Sequence, residues 1–229
     1  MGRKRVSHRA LCGLGSLAAG ALLAVTLLHI IPETLELIGT LRGITVIILG
    51  TAIFAAIGKY VYFMCPACAA SATEHSGGYL RLGMLLMVTM GIHSTVDGLA
   101  ITAGSELVTS TGLLILFAVS YHKIPEGMAL VSVARLAGYS RGKALLATAL
   151  IELTTALGAF TGLIFLHGVN QIWLGMVLGL VAGSFLYTVG FALLKEMFVH
   201  EKSSIIIYVL AGFISILLIG ALLPAAHAH

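Results

Sequence analysis

The chain has 229 residues, of which 59% are hydrophobic and only 10% are charged, and its formal net charge is +4. Soluble domains carry about 25% charged residues. This composition, with a mean hydropathy of +1.06, therefore excludes a soluble globular domain, a disordered chain and a nucleic-acid-binding protein. The sequence predicts an integral membrane protein whose main surroundings are a lipid bilayer.

Seven apolar stretches are long enough to cross a bilayer as helices, which takes about 20 residues each. Only short connectors separate them, so we expect an all-α, polytopic transmembrane bundle that forms a single domain over residues 1–229. In chain order, the predicted spans cover about residues 10–31, 43–64, 80–103, 112–134, 143–166, 172–194 and 205–224.

Lysine and arginine are distributed unequally between the two sides of the predicted bundle. Of the 13 such residues, Arg42 falls on the far side and Lys123 lies within a span, so the other 11 (13 minus 2) share the side of the N-terminus. Basic loops face the cytoplasm in membrane proteins. We therefore expect a multi-pass protein of the cell membrane with a cytoplasmic N-terminus and an outside C-terminus.

Ionisable side chains inside three consecutive spans are the strongest functional signal. Each costs at least about 2.5 kcal/mol at the bilayer centre, so such residues are functional by default. His93 and Asp97 in the third span are four residues apart, as are His122 and Glu126 in the fourth, so each pair projects from one helix face. Glu152 adds a further carboxylate in the fifth span.

The helical rise sets the expected depth of these groups. At about 1.5 Å per residue, both histidines lie about 15 Å from the outer ends of their spans, near the bilayer midplane. The same count places Asp97 about 9 Å, and Glu126 and Glu152 about 21 Å, from the outside. Imidazole nitrogen and carboxylate oxygen are ligands of zinc, iron, manganese and cobalt. We therefore expect a ladder of ligands for a divalent metal ion.

Both motifs resemble those of the ZIP (Zrt-/Irt-like) family of divalent-metal transporters. His93-Ser94-Thr95-Val96-Asp97-Gly98 is similar to the His-Asn-x-x-(Asp/Glu)-Gly motif of the family's fourth helix. His122-Lys123-Ile124-Pro125-Glu126-Gly127 is similar to the (His/Gln)-x-x-Pro-(Glu/His) motif of the fifth. The family has eight helices and this chain starts at the counterpart of the second, so we expect either that the first span is absent or that the sequence is incomplete.

The resemblance implies uptake of zinc, or of iron, manganese, cobalt or cadmium, into the cytoplasm as the transported substrate. It also implies that the protein is not an enzyme and has no organic cofactor. By position, the metal ligands are predicted to be His93, Asp97, His122, Glu126 and Glu152, and Ser94 and Lys123 fall at or near a second site.

Lys123 departs from the family pattern, because several relatives place an Asn or Asp ligand there. A charged ammonium has three donors and no acceptor, so it cannot bind a metal ion. We expect Lys123 to occupy the place of a second metal, so that one dication is bound. Ser94, a weaker ligand than asparagine, favours the same interpretation.

Two further patterns in the sequence are weaker. His29 and Glu33 are four residues apart at the outer end of the first span and predict an outer access site, although polar residues at helix ends are ordinary at a membrane interface. Gly175, Gly179 and Gly183 recur every four residues, which permits close helix contact either within the chain or in a homodimer.

Two other functions are compatible with membrane-buried histidines. An intramembrane zinc hydrolase of a lipid amide or ester would use a metal-activated water, and a haem protein would use His93 and His122 as axial ligands. Hydrolysis has no use for acids at several depths, and the paired carboxylates argue against haem. The sequence therefore favours a metal transporter.

Overall fold

The computed structural model describes residues 8–61, 79–190 and 202–223 of the chain. These ranges are helical apart from short turns and contain no strand, which confirms the predicted all-α class. The helices are α1 (His8–Val25), α2 (Ile31–Ile38), α3 (Thr40–Val61), α4 (Tyr79–Leu107), α5 (Thr109–Leu136), α6 (Arg141–Phe165), α7 (Gln171–Tyr187) and α8 (Lys202–Leu222).

Six helical stretches among the described residues are long and apolar enough to cross a membrane. They are Gly13–Ile38, Thr40–Lys59, Thr109–Arg135, Arg141–Phe165, Gln171–Gly190 and Ile205–Leu222. The 29 residues of α4 make it about 44 Å long, which exceeds the roughly 30 Å of a hydrocarbon core. This helix contains the third predicted span, and its described part includes His93, Asp97 and Glu106. Predicted span ends at 62–64, 191–194 and 224 lie outside the described residues.

The first span is longer than the sequence predicts, because the helix continues to Ile38 rather than ending near residue 31. A π-helical segment, Thr26–Ile30, joins α1 to α2. Pro32 follows in the first turn of α2, where its missing N–H is tolerated. The proline therefore does not end the span, and His29 and Glu33 lie within the helix rather than at its end.

Three helix pairs approach each other backbone to backbone. The most extensive contacts join α4 to α6, α1 to α8 and α3 to α7. Small residues permit such approaches in lipid, where burial of apolar side chains does not drive association. In each helix pair, one glycine on each helix faces the other helix, and a Cβ on either glycine would clash with the opposite backbone. These facing glycines are Gly98 and Gly158, Gly20 and Gly212, and Gly50 and Gly183.

The glycine repeat of α7 is used within the chain. A Cβ on Gly175 would press on Ile38 of α2, and one on Gly179 would press on Val46 of α3. Gly183 meets the backbone of α3. Of the two interpretations of this repeat, the structure therefore supports packing inside the subunit.

Helix α5 contacts helices from several parts of the chain. It packs against α4, α1 and α6 and also touches α8. Fully buried residues such as Ile115, Ala118 and Leu130 line this helix along its length. In the motif at residues 122–127, His122 and Glu126 are buried. His122 contacts His93 of α4, and Gly127 faces Glu152 of α6.

Candidate metal centre

Four metal-binding side chains meet between α4 and α5. His93, Asp97, His122 and Glu126 are all buried, and each offers one ligand atom within 4.8 Å of the other three. The Nε2 atoms of the two histidines are 3.0 Å apart. His93 Nε2 lies 3.7 Å from Asp97 Oδ1, and His122 Nε2 lies 3.4 Å from Glu126 Oε2. Ligands of one tetrahedral zinc ion stand about 3.3 Å apart, and these three pairs of atoms are close to that spacing.

The cluster is more compact than the predicted ladder. Contacts between Gly104 and Gly112 and between His93 and His122 show that α4 and α5 run antiparallel. A helical side chain leans toward the N-terminus of its own helix. Asp97 and Glu126 therefore lean toward each other from different depths, and the prediction of carboxylates separated by about 12 Å is wrong.

The ammonium of Lys123 lies among three carboxylates. Its Nζ is 2.9 Å from Asp97 Oδ2, 2.9 Å from Glu126 Oε2 and 3.4 Å from Glu152 Oε2. It also donates a hydrogen bond of 2.7 Å to Ser94 Oγ, which in turn donates to Glu126 Oε1 at 3.4 Å. Glu152 thus contacts Lys123 and is not part of the four-residue ligand cluster, although the sequence predicts it as a ligand.

The formal charges of this region do not cancel. Asp97, Glu126 and Glu152 contribute three negative charges and Lys123 contributes one positive charge, so with neutral histidines the sum is −2. The side chains of Asp97 and Glu126 are 1% and 2% exposed, which leaves them little contact with solvent. Because buried charge requires compensation, the region is suited to a guest of charge +2.

The two imidazole rings are oriented by packing. They meet edge to face with centroids 5.2 Å apart, and the ring of Phe54 on α3 approaches His93 in the same manner at 6.4 Å. Neither Nδ1 atom has a hydrogen-bond partner among the residues that the structure describes. Sequence reasoning missed Phe54, because nothing in the apolar run of α3 marks that residue as a neighbour of the cluster.

The predicted outer access residues lie apart from the ligand cluster. Glu33 Oε1 accepts a hydrogen bond of 2.6 Å from Thr111 Oγ1, in the first turn of α5. Its Oε2 is buried and has no hydrogen-bond partner in the described part of the chain, and His29 is half-buried nearby in sequence. His122 is 11 residues further along α5, about 16 Å away along the helix. Thr111 was not predicted, because a contact between residues 78 apart leaves no local pattern.

An apolar layer separates Glu33 from the ligand cluster. Ile115 and Ala118 lie on α5 between Thr111 and His122, and both are fully buried. Ala100 on α4 is likewise fully buried, and the side chain of Ile115 rests against Gly104. The cluster is therefore closed toward Glu33, whereas the side chains of Lys123 and Glu152 retain 18% and 23% exposure.

Comparison with known proteins agrees with this geometry. The profile of a family described as "ZIP Zinc transporter" matches residues 67–220. An uncharacterized protein of Methanocaldococcus jannaschii is 26% identical over 201 residues, which is 87% of this chain and 80% of that protein.

Two relatives are named zinc transporters. Human zinc transporter ZIP6 is 29% identical over 126 residues, which is 55% of this chain and 17% of ZIP6. Zinc transporter zipt-7.2 of Caenorhabditis elegans is 33% identical over 119 residues, which is 49% of this chain and 24% of that protein. The matched segment thus spans a quarter or less of each of these two relatives. Since the family profile covers more than half of the chain and includes both the α4 and the α5 motif, the chain belongs to the ZIP family of zinc transporters.

Proposed function

We propose that this protein carries zinc or a similar divalent cation across the membrane into the cytoplasm, through the cluster of His93, Asp97, His122 and Glu126 near the bilayer midplane. The observation that carries the proposal is the convergence of these four side chains within 4.8 Å, in the interior of a bundle of apolar helices. Ionisable groups at such depth are costly and are retained for ion pathways. Family membership supports transport rather than an enzymatic reaction.

The donor set indicates the class of ion. Two imidazole nitrogens with two carboxylate oxygens suit zinc, and also iron, manganese, cobalt and cadmium. Magnesium and calcium prefer oxygen ligands alone. We propose zinc as the substrate because the spacing of the cluster matches tetrahedral coordination and because named relatives are zinc transporters.

We further propose that one ion is bound at a time. The formal charge of −2 in this region is neutralised by a single dication, whereas two would leave it at +2. The Lys123 ammonium already contacts Asp97 and Glu126 at 2.9 Å. It therefore takes the position in which a second cation would share these carboxylates.

The proposed path starts at His29 and Glu33 on the outer side. The apolar layer of Ala100, Ile115 and Ala118 then has to separate before an ion reaches the histidines, which replace its water. With a cytoplasmic N-terminus, as the 11 basic residues on that side favour, the ion leaves past Lys123 and Glu152. This order corresponds to alternating access, with the outer side closed in the present conformation.

Zinc influx into proteoliposomes that contain a zinc-sensitive dye tests the proposal. The double variant His122→Ala and Glu126→Ala removes one imidazole and one carboxylate, and influx should fall to the level of protein-free liposomes. The control is Glu106→Ala with His167→Ala, which removes another His–Glu pair, 3.3 Å apart, that lies outside the cluster. Influx that persists unchanged in the first variant would disprove the assigned path.

A further inference from the structure

Phe54 connects α3 to the ligand cluster. Helices α3 and α4 otherwise make few contacts with each other. The ring of Phe54 nevertheless meets the imidazole of His93 at an interplanar angle of 71°, with the ring centroids 6.4 Å apart. Aromatic rings attract each other in such edge-to-face arrangements at centroid distances of about 4.5–7 Å. Phe54 is buried, so this contact is made away from solvent.

The second ring nitrogen of His93 has no protein partner in the described part of the chain. Metal-bound histidines almost always donate this N–H to a carboxylate, a carbonyl or a water, and the hydrogen bond sets the orientation of the ring. Nδ1 of His93 is buried and finds no such partner among the described residues. Its Nε2 lies 3.0 Å from His122 Nε2 and 3.7 Å from Asp97 Oδ1. Among these residues, contacts with neighbouring rings therefore hold the orientation that directs Nε2 into the cluster.

The packing around Phe54 leaves space unfilled. An apolar cavity of about 250 Å³ lies between α3, α4 and α7, and its lining includes Phe54, Gly50, Val96 and Val181. Protein interiors are close-packed and contain few voids larger than a water molecule. Phe54 thus borders a void and also contacts His93, which favours a role toward the histidine over a role in filling the core. A smaller apolar side chain can take its place without a clash.

We propose that Phe54 is a positioning residue, whose ring holds the His93 imidazole in the orientation in which Nε2 ligates the transported ion. The inference rests on the proposed transport function. Because the ring supports His93 without a hydrogen bond, it does not raise the basicity of the ligand as a hydrogen-bonded carboxylate does. Zinc is then bound less tightly than between hydrogen-bonded histidines, which suits a site that releases its ion in every transport cycle.

Phe54→Leu tests the positioning role, because leucine keeps an apolar side chain and lacks the ring. Loss of an edge-to-face pair corresponds to a change of about two- to tenfold in an equilibrium constant. The dissociation constant for zinc and the KM of zinc influx should both rise by this factor. The maximal rate should be retained, since only binding of the ion is weakened. The matched control is Val181→Ala, which shortens another buried side chain that lines the same cavity and should leave both quantities unchanged.

A double-mutant cycle with His93→Ala separates positioning from a general loss of structure. Asp97, His122 and Glu126 remain as ligands in that variant, and three protein ligands can hold a zinc ion. Because the proposed role of Phe54 is exerted through His93, Phe54→Leu should weaken zinc binding in the unmodified protein but not in the His93→Ala background.

Two outcomes overturn the positioning role alone. One is an unchanged dissociation constant for zinc in Phe54→Leu, and the other is an equal loss of affinity with and without His93. Phe54→Ile, which also lacks the ring, replaces Phe54→Leu in the cycle where the leucine variant does not fold. Absence of zinc binding and influx in the unmodified protein overturns the transport function itself.

Discussion

Replacing Lys123 by alanine removes the one cation from a group of three carboxylates. Breaking a buried ion pair by deleting one partner costs about 3–5 kcal/mol. The lysine side chain is 18% exposed, so solvent screens part of this cost and we expect the lower end, about 3 kcal/mol. For a chain of this size, each kcal/mol shifts the melting temperature by about 2–4 °C. Without metal, Lys123→Ala should therefore melt about 6–12 °C below the unmodified protein.

Zinc should reverse this loss, because a second ion can take the place of the ammonium. Asp97, Glu126 and Glu152 would hold it through oxygen atoms that now face Lys123. We expect metal content to rise from one to two zinc ions per chain. Each tenfold excess of zinc over its dissociation constant adds about 1.4 kcal/mol of stability, so the zinc-dependent rise in melting temperature should be larger in the variant.

The melting temperature is measured by thermal unfolding in detergent, with and without zinc, using tryptophan fluorescence. Elemental analysis of the same samples measures the zinc content per chain. Lys143→Ala, which removes an exposed lysine in the first turn of α6, should leave both quantities unchanged. One zinc per chain in Lys123→Ala, with no extra stabilisation, would refute the reasoning. Two zinc ions in the unmodified protein would refute it equally.

Two further predictions concern other parts of the molecule. Gly98→Ala forces a Cβ against the Thr155 carbonyl and should destabilise the protein by about 1–3 kcal/mol or more, whereas Gly142→Ala, at an open position, should not. Glu33→Gln should raise the KM for zinc at unchanged maximal rate, with Glu36→Gln, an exposed acid on the same helix, as the control; equal KM values would exclude an access role.

The helices and the paired motifs were accessible to sequence reasoning because both depend on local periodicity. Spans predicted at 112–134 and 143–166 differ by a few residues from Thr109–Leu136 and Arg141–Phe165. The prediction of where the first span ends failed, because the rule that proline ends a helix considers only neighbouring residues. Pro32 ends many helices, but here a π-helical segment precedes it and the span continues to Ile38.

The contacts around the cluster were less accessible. Asp97 and Glu126 come together because their side chains lean toward each other from antiparallel helices. This depends on which helix faces α4. The same holds for Phe54 against His93 and for Thr111 against Glu33. None of these partners belongs to a motif, so nothing in the chain distinguishes them from other aromatic or hydroxyl residues in apolar runs.

By itself, the amino-acid order determined that this is a helical membrane protein, that His93 and Asp97 share one face as do His122 and Glu126, and that a lysine stands where a ligand is expected. The first two properties follow from hydropathy and from the 3.6-residue turn, which act over a few neighbours. The third follows from the resemblance of the motif to that of the ZIP family. Only the tertiary structure decided that the two faces meet, that Lys123 lies 2.9 Å from both Asp97 and Glu126, and that buried apolar residues lie between Glu33 and the ligand cluster. Those outcomes depend on which helices contact each other. Glycines permit particular helices to approach closely, and packing across the whole bundle determines which pairs do so.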